Sequence, residues 1–288
     1  MSSATAETKV ARPARPRRHR WEMLRAPEGV IGLVLLTFTV AVAVIGPIVA
    51  PHPLAQPVGP PGEPPGHGFP LGTDYLGRDV LSRVLYGGWP ILWLSAVITL
   101  FTYVIGVLIG MVAALGRRLT DSVLMRFVDL LLAFPPLLLV LVLIASAGSS
   151  STILIISIVL VLFPGLARIV RSATLEVSTA GYIEAAFARG ERAPAVMWHE
   201  ILPNIGPVIL ADLGVRFSFA IALVAGVNFL GLGESPPSAN WALMVAENNV
   251  VITSNVWGVL APAVMLMVLT VSINLLGDAY VRNRSKAR

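Results

Sequence analysis

Long segments without a charged side chain are the feature of this sequence that most constrains its fold. No Asp, Glu, Lys or Arg occurs between Glu28 and Glu63 or between Arg83 and Arg117. About 20 apolar residues, at about 1.5 Å of helix each, cross the roughly 30 Å hydrocarbon core of a bilayer. Both segments are long enough to do so, and the chain is therefore predicted to be an all-α, polytopic membrane protein.

Six membrane spans are predicted from such segments. The apolar run over residues 130–167 is too long for one span, and the small polar segment 146–152 divides it as a tight turn would. With 56% apolar and 13% charged residues, the chain also departs from soluble domains, in which about 25% of residues are charged. The predicted spans are 30–50, 89–115, 123–145, 153–167, 205–232 and 256–276.

Basic residues are concentrated on one predicted side of the membrane. The N-terminal tail, the loops near residues 117–126 and 168–192, and the C-terminal end together hold 18 of the 21 Lys and Arg residues. Because loops rich in Lys and Arg stay in the cytoplasm, both termini and the 168–192 loop are predicted to be cytoplasmic. The N-terminal tail is rich in Pro and Arg and is expected to be disordered and to attract anionic lipid. The apolar span that follows the tail is expected to be a signal anchor that is not cleaved.

These predictions divide the chain into five segments. Residues 1–28 form a basic cytoplasmic tail, 29–51 the first transmembrane helix, and 52–88 an external loop and elbow. Residues 89–281 form a five-helix core, and residues 282–288 a second basic cytoplasmic tail. The many Pro and Gly residues of PHPLAQPVGPPGEPPGHGFP, at 51–70, exclude a regular helix or strand, so an extended surface loop is expected there.

A charged loop, YIEAAFARGERAPAVMWHEILPN over residues 182–204, separates the fourth and fifth predicted spans. A short helix is expected over residues 181–189, where Ala185 and Ala186 would leave room for another protein to approach. Gly190 then suits the left-handed backbone position that follows a helix end.

Two prolines define the second half of this loop. Pro194 is expected to open a second short helix at its first position. Pro203 is expected to end that helix, because the residue before a proline disfavours helical geometry. From the residues alone, the loop is either a docking surface for a partner protein or a connector at the membrane surface, with Met197, Trp198, Ile201 and Leu202 touching lipid headgroups.

Charged residues also cluster just before the second span. Thr73 and Asp74 can cap a short helix that starts at Tyr75, and Gly77 is expected to interrupt that helix. The two basic residues are expected to pair with the two acidic ones, either as a structural elbow or as a substrate contact. The four residues are Asp74, Arg78, Asp79 and Arg83.

Three of the charged residues within or beside predicted spans are candidates for a function in transport. Asp212 and Arg216 stand four residues apart in the fifth span and therefore share one helical face. Charges inside a membrane face protein or water and are functional candidates. The pair is either a gate on a translocation path or an ion pair near the cytoplasmic surface, and Asp129 has the same two interpretations.

Glycine and proline within the spans predict close packing and kinks. Gly106 and Gly110 form a GxxxG pattern, which allows a second helix to approach closely. Pro135 and Pro136 in the third span and Pro164 in the fourth are expected to kink their helices, for packing or for gating.

Several kinds of chemistry have no support in the sequence. The two lysines, Lys9 and Lys286, do not follow a glycine-rich turn, so the chain has no Walker A phosphate loop and any ATP must bind to a partner. There is no cysteine, and His52 and His67 have no third histidine nearby, so no metal site is expected. No catalytic constellation is present.

Two long motifs resemble a known family. Glu184-Ala185-Ala186, Gly190 and Leu202-Pro203 have the spacing of the EAA loop of ABC importer permeases, although Glu200 stands where that pattern has Ile. Residues 71–88, LGTDYLGRDVLSRVLYGG, and 231–244, GLGESPPSANWALM, resemble the dipeptide and oligopeptide permeases of the DppC/OppC type. In that group Trp241 would be followed by Gly, and here Ala242 follows it.

This resemblance implies a permease subunit with the type I ABC importer fold, in a bacterial cytoplasmic membrane, that imports di- and oligopeptides by alternating access. It implies that loop 178–204 couples to an ATPase, with two ATPase subunits holding ATP and Mg²⁺, a second, homologous permease and an external substrate-binding protein as partners. No cofactor of its own and no nucleic acid are implied. The alternatives left open are a nickel, haem or other solute importer on the same scaffold, and an ion-driven transporter or channel.

Overall fold

A computed structural model describes residues 27–66, 68–233 and 237–285 of the 288-residue chain. Most of the tail predicted over 1–28, His67, and residues 286–288 of the tail predicted over 282–288 lie outside these described residues. Within the described residues the fold is built of helices, with isolated β-bridges in the Pro/Gly-rich segment between the first two spans. The all-α prediction is confirmed.

Eleven α-helices are described. They are α1 Pro27–Val49, α2 Val80–Tyr86, α3 Gly88–Leu115, α4 Arg118–Leu132, α5 Pro136–Ala147, α6 Ser151–Ser178, α7 Gly181–Ala188, α8 Ala193–Val196, α9 Leu202–Phe229, α10 Trp241–Asn248 and α11 Trp257–Ser285. A π-helical turn, Met197–Ile201, joins α8 to α9, and a 3₁₀ turn, Asn249–Val251, follows α10.

The membrane plan agrees with the six predicted spans. Five helical segments in the described part of the chain are long and apolar enough to cross a bilayer, and there are six if α4 and α5, which are bent at 90°, count together as one span. The end of the bundle formed by residues 179–201 is called the loop end here. The opposite end, formed by residues 50–88 and 237–256, is called the cap end.

The third predicted span is not one straight helix. A 90° bend at Pro135–Pro136 separates α4 from α5. Pro135 has an extended backbone with ψ 128°, as expected of a residue that precedes proline, and Pro136 begins α5. The fourth span, in contrast, runs past its predicted end at Ala167 to Ser178, and Pro164 lies inside it.

The α3/α6 pair is the most extensive helix contact in the bundle. A Cβ atom on Gly106 would lie 2.9 Å from the Leu166 side chain, and one on Gly110 would lie 2.7 Å from the backbone oxygen of Ala167. Only glycine fits at such distances, so the GxxxG prediction of close helix contact is confirmed.

Three apolar clusters hold the bundle together, of which the third joins Val128 of α4 to Phe163 and Ala167 of α6 and the other two are a larger and a smaller main cluster. The larger one joins α3, α6, α9, α10 and α11, with Trp241 fully buried at the cap end. The smaller one, at the loop end, contains Met111, Val170, Ile183 and Ile201 and attaches the loop to α3 and α6. Outward-facing residues such as Val34, Phe38 and Ile48 are exposed, which suits a lipid-facing surface.

Candidate functional site

The first half of the charged loop has a well-defined helix. In α7, Ile183 and Ala186 are fully buried, whereas Glu184 and Ala185 are exposed. The expectation that both alanines leave room for another protein is therefore wrong for Ala186. Its methyl group packs into the smaller apolar cluster and fixes α7 to the bundle.

Gly190 ends α7 as predicted. Its φ of +83° lies in the left-handed region that favours glycine. The Gly190 amide donates to the Phe187 carbonyl at 2.9 Å, and the Glu191 amide donates to the Ala186 carbonyl at 3.2 Å. These two bonds form a Schellman motif, which turns the chain sharply out of α7.

The second half of the loop differs from the prediction. Pro203 does not end a helix, because α8, the π turn and α9 form one continuous helical rod from Ala193 to Phe229. In the π turn the Leu202 amide donates to the carbonyl of Met197, five residues back. Pro203 lies in the first turn of α9, and Pro194 is the second rather than the first residue of α8, whose N-cap is Arg192.

The π turn explains the mismatch at Glu200. Met197, Ile201, Ile205 and Ile209 are buried at intervals of four residues. In a regular α-helix this interval drifts by about 40° at each step, because one turn takes 3.6 residues. The wider π turn offsets part of that drift, so Ile201 occupies the apolar cluster and Glu200 is only partly buried. Met197 and Ile201 are therefore core residues and do not contact lipid headgroups.

The outer surface of the loop carries aromatic and charged side chains. Tyr182, Phe187 and Trp198 are 47%, 41% and 54% exposed. Glu184 of α7 is also exposed, and Arg189 pairs with Glu191 at 2.6 Å. An exposed set of large aromatic residues beside charges is typical of a protein contact surface.

At the cap end, one carboxylate organises the charged motif. Asp74 accepts from Nε of Arg78 at 2.6 Å and from a terminal nitrogen of Arg83 at 2.7 Å. All three side chains are at most 3% exposed. The expected pairing of both arginines is confirmed for Asp74 only.

Glu247 of α10 completes this cluster. It accepts from Arg83 at 2.7 Å and from Arg78 at 3.3 Å, so the cluster ties the turn before α2 to a helix about 170 residues later in the chain. Tyr75 donates to the same carboxylate at 3.3 Å. Burial raises the pKa of Tyr75, and the adjacent Glu247 charge raises it further, so the hydroxyl remains a donor.

Asp79 has a different function from the predicted one. It is the N-cap of α2, where its carboxylate accepts from the amides of Leu81 and Ser82, and it also contacts His52 at 3.1 Å. The short helix expected from Tyr75 is absent, because residues 73–78 form a turn that brings Arg78 back to Asp74. Gly77 permits that turn with φ +76°, and a Cβ there would lie 2.1 Å from the Gly59 carbonyl oxygen.

Trp241 is a packing residue at the elbow between α2 and α3. Its indole nitrogen donates to the Val84 carbonyl at 2.7 Å. A Cβ on Gly87 or on Gly88 would lie 2.8 Å from the Trp241 ring. The two glycines therefore make the space that this ring fills.

The intramembrane charges are paired. Asp129 pairs with Arg168 of α6, and both side chains are more than half exposed. Arg216 bonds Asp212 through Nε at 2.7 Å, and both are about 15% exposed. A terminal nitrogen of Arg216 donates to the Leu162 carbonyl of α6, so the guanidinium points into the bundle and does not snorkel to the surface.

Several polar residues of these sites were missed by the sequence reasoning. Tyr103 on α3 donates to Asp212, and Asn255 binds the carbonyls of Leu71 and Thr73. Each contact joins segments more than 100 residues apart, so the local spacing of residues in the sequence does not indicate it. A partly open groove of about 600 Å³, lined by Tyr103, Phe217 and Tyr280 among other residues, also lies between α1, α3, α9 and α11.

Replacing Asp74 with Asn is expected to destabilise the protein by about 3–5 kcal/mol, because two buried arginines lose their shared counter-charge. Thermal unfolding of the detergent-purified protein, followed by tryptophan fluorescence, measures the change. Glu28→Gln is the matched control, since the Glu28–Arg282 pair is exposed and worth about 0–1 kcal/mol. Equal unfolding temperatures for the two variants would contradict the central role of Asp74.

Comparison with known proteins agrees with this architecture. A family model described as "Binding-protein-dependent transport system inner membrane component" matches residues 106–286. A Brucella suis relative, named as a permease of a peptide transport system, is 36% identical over 249 residues, covering 86% of this chain and 84% of that protein. The dipeptide transport system permease protein DppC of Alkalihalophilus pseudofirmus is 31% identical over 252 residues, covering 86% and 82%.

A solved structure supports the fold itself. An inward-facing structure of the MetNI methionine ABC transporter aligns with a TM-score of 0.58 at 21% identity, over 70% of this chain and 95% of that one. At this identity the match establishes the architecture, which is the type I ABC importer permease fold. The chain is a multi-pass membrane protein and belongs to the family of inner membrane components of binding-protein-dependent transport systems.

Proposed function

We propose that this chain is the permease subunit of an ABC importer that moves di- and oligopeptides into the cytoplasm by alternating access. The exposed loop between α6 and α9 carries this proposal, because a self-contained transporter has no need of a surface built for docking. The peptide substrate is supported by the relatives, whose names refer to peptide or dipeptide transport.

The energy for this transport comes from partner subunits. The chain has no lysine in a glycine-rich phosphate loop, so two ATPase subunits hold ATP and Mg²⁺ and perform the hydrolysis. The permease itself is non-catalytic. Loop 178–204, with Glu184, Ala185, Gly190, Leu202 and Pro203, is the ATPase-coupling segment, and the buried Ala186 anchors it.

A second, homologous permease completes the translocation path. The 600 Å³ groove in this chain is partly open and apolar, and a pore between two such subunits would be closed on all sides. The cap end receives the external substrate-binding protein, and the buried cluster of Asp74, Arg78, Arg83 and Glu247 holds the segments of this end in a fixed arrangement beneath it. Asp129 and the Asp212–Arg216 pair remain gate candidates.

The orientation follows from charge. In a bacterial cytoplasmic membrane, both termini and the loop end face the cytoplasm, because that side carries 18 of the 21 basic residues. The cap end, with Arg78 and Arg83 buried in ion pairs, faces outward. A nickel or haem importer on the same scaffold is the second candidate, since the fold and the loop suit that function equally.

ATP-dependent uptake of labelled peptides is expected from the complex that co-purifies with this chain. The complex is reconstituted in liposomes with its binding protein and tested with dipeptides to pentapeptides, and with Ni²⁺ and haem as competing substrates. Uptake of a metal or haem in place of peptides would contradict the substrate proposal. Uptake that needs an ion gradient but no ATP would contradict the ABC mechanism.

Gly190→Pro is expected to abolish co-purification of the ATPase without preventing membrane insertion, because proline cannot adopt φ +83°. Gly181→Pro is the matched control: this residue begins α7, has open space around it, and follows an extended residue, so proline fits. Glu184→Arg tests the surface in the same assay, with Glu63→Arg at the cap end as its control. Normal ATPase recovery with Gly190→Pro and Glu184→Arg would contradict docking at this loop.

Single cysteines test the orientation directly, because the chain contains none of its own. Leu76→Cys at the cap end is expected to react with a membrane-impermeant maleimide in intact spheroplasts. Ala188→Cys at the loop end is expected to react only after the membrane is permeabilised. Both positions are exposed, so the opposite labelling pattern would reverse the orientation.

A further inference from the structure

Three helices meet at one polar node inside the membrane. Arg216 of α9 donates to Asp212 through Nε at 2.7 Å and to the Leu162 carbonyl of α6 at 3.2 Å. The Tyr103 hydroxyl of α3 lies 3.2 Å from the same Asp212 carboxylate and 3.2 Å from the Ile209 carbonyl. The node thus satisfies a largely buried charge pair with groups from three helices.

The node lies far from both ends of α9. Arg216 is 14 residues after Leu202, and Leu162 is 16 residues before Ser178. At about 1.5 Å per residue, the node is about 21–24 Å along each helix from the loop. The helix that enters the loop, α6, and the helix that leaves it, α9, are therefore joined near the middle of their lengths.

Gly165 provides the space for this junction. A Cβ atom there would lie 2.9 and 3.0 Å from the two terminal nitrogens of Arg216. Glycine inside a helix costs about 0.5–1 kcal/mol relative to alanine, and Pro164 beside it removes a further backbone donor. The two residues weaken α6 at the point where the guanidinium approaches its backbone.

A second polar contact follows on the same helix. The Asn274 amide of α11 donates to the Ser218 hydroxyl of α9 at 2.7 Å, and a Cβ on Gly214 would lie 3.0 Å from the Asn274 side-chain oxygen. Residues 212–218 of α9 are therefore tied to α3, α6 and α11. In hydrocarbon no water replaces a broken contact of this kind.

Between the loop and the node, α9 is weak. The π turn Met197–Ile201, Pro203, Gly206 and Pro207 all interrupt or soften regular helical hydrogen bonding. A force applied at the loop could bend the rod there and leave the rest of α9 in place. A fixed link between α6 and α9 beyond these weak points makes the rest of α9 move with the loop.

We propose that Arg216, held by Asp212 and Tyr103, is a positioning residue that locks α9 to α6, so that movement of the loop displaces the membrane-embedded helices. The inference rests on the proposed function, in which ATPase subunits move the loop. It assigns to the pair a mechanical function in transmission and not a contact with the peptide.

Gly165→Ala tests this lock without removing any charge. The complex containing the variant is reconstituted in liposomes, and the number of peptides imported per ATP hydrolysed is measured. We expect ATPase recovery and hydrolysis close to wild type, with a fall in that ratio of at least about fivefold, a typical size for coupling between sites. Val215→Ile, which adds one methyl group to an exposed side chain of α9 outside the node, is expected to retain the wild-type ratio.

Arg216→Lys is a second, independent test of the lock, in case the Gly165→Ala variant does not fold. An ammonium group can pair with Asp212 but lacks the fork that reaches the Leu162 carbonyl as well, so the same fall in ratio is expected. An unchanged ratio in these variants would overturn the proposal, as would a changed peptide KM or length preference at unchanged ratio. Absence of ATPase from the wild-type complex would instead contradict the proposed function, which separates the two failures.

Discussion

Lipid hydrocarbon contains no hydrogen-bond partners, so every interruption of a helix in this bundle has to be satisfied by another part of the chain. The structure meets this requirement with specific side chains. Asn204 donates to the Glu200 carbonyl at 2.6 Å beside Pro203, and Arg216 donates to α6 beside Pro164. Asn274 bonds both α11 and α9. Arg216 and Asn274 therefore join neighbouring helices, whereas the Asn204 bond lies within one helical rod.

The ion pairs at the two ends of the bundle differ in how deeply they are buried. At the cap end, Asp74 and Glu247 share two arginines that are almost inaccessible to solvent, and loss of one member leaves an uncompensated buried charge. Toward the other end, the Asp129–Arg168 pair and, in the loop, the Arg189–Glu191 pair are largely exposed, and such pairs contribute about 0–1 kcal/mol. The cap end is consequently the rigid frame, and the loop end is the part that can rearrange at low cost.

Local patterns in the sequence predicted the features that depend on neighbouring residues. The six spans, the turn at Gly190 and the close contact at Gly106 and Gly110 follow from hydropathy and glycine chemistry, and the structure has them. The bend at Pro135–Pro136 was expected only as a kink, because sequence gives the position of a break but not its angle. The second acidic partner of the two arginines is Glu247 and not Asp79. This could not be predicted, since Glu247 comes from a distant helix.

Pro203 is the most informative error. A proline usually ends a helix because its ring excludes one backbone bond, but here the preceding turn is already wound as a π-helix with five-residue bonds. That turn keeps Met197, Ile201 and Ile205 on one buried face, so the loop and α9 remain one continuous rod despite the proline. A loop that ended at Pro203 would be joined to α9 by a flexible break. Since it does not end there, displacement of the loop necessarily moves the first turns of α9, and the next weak points along the rod, Gly206 and Pro207, decide how far that movement travels.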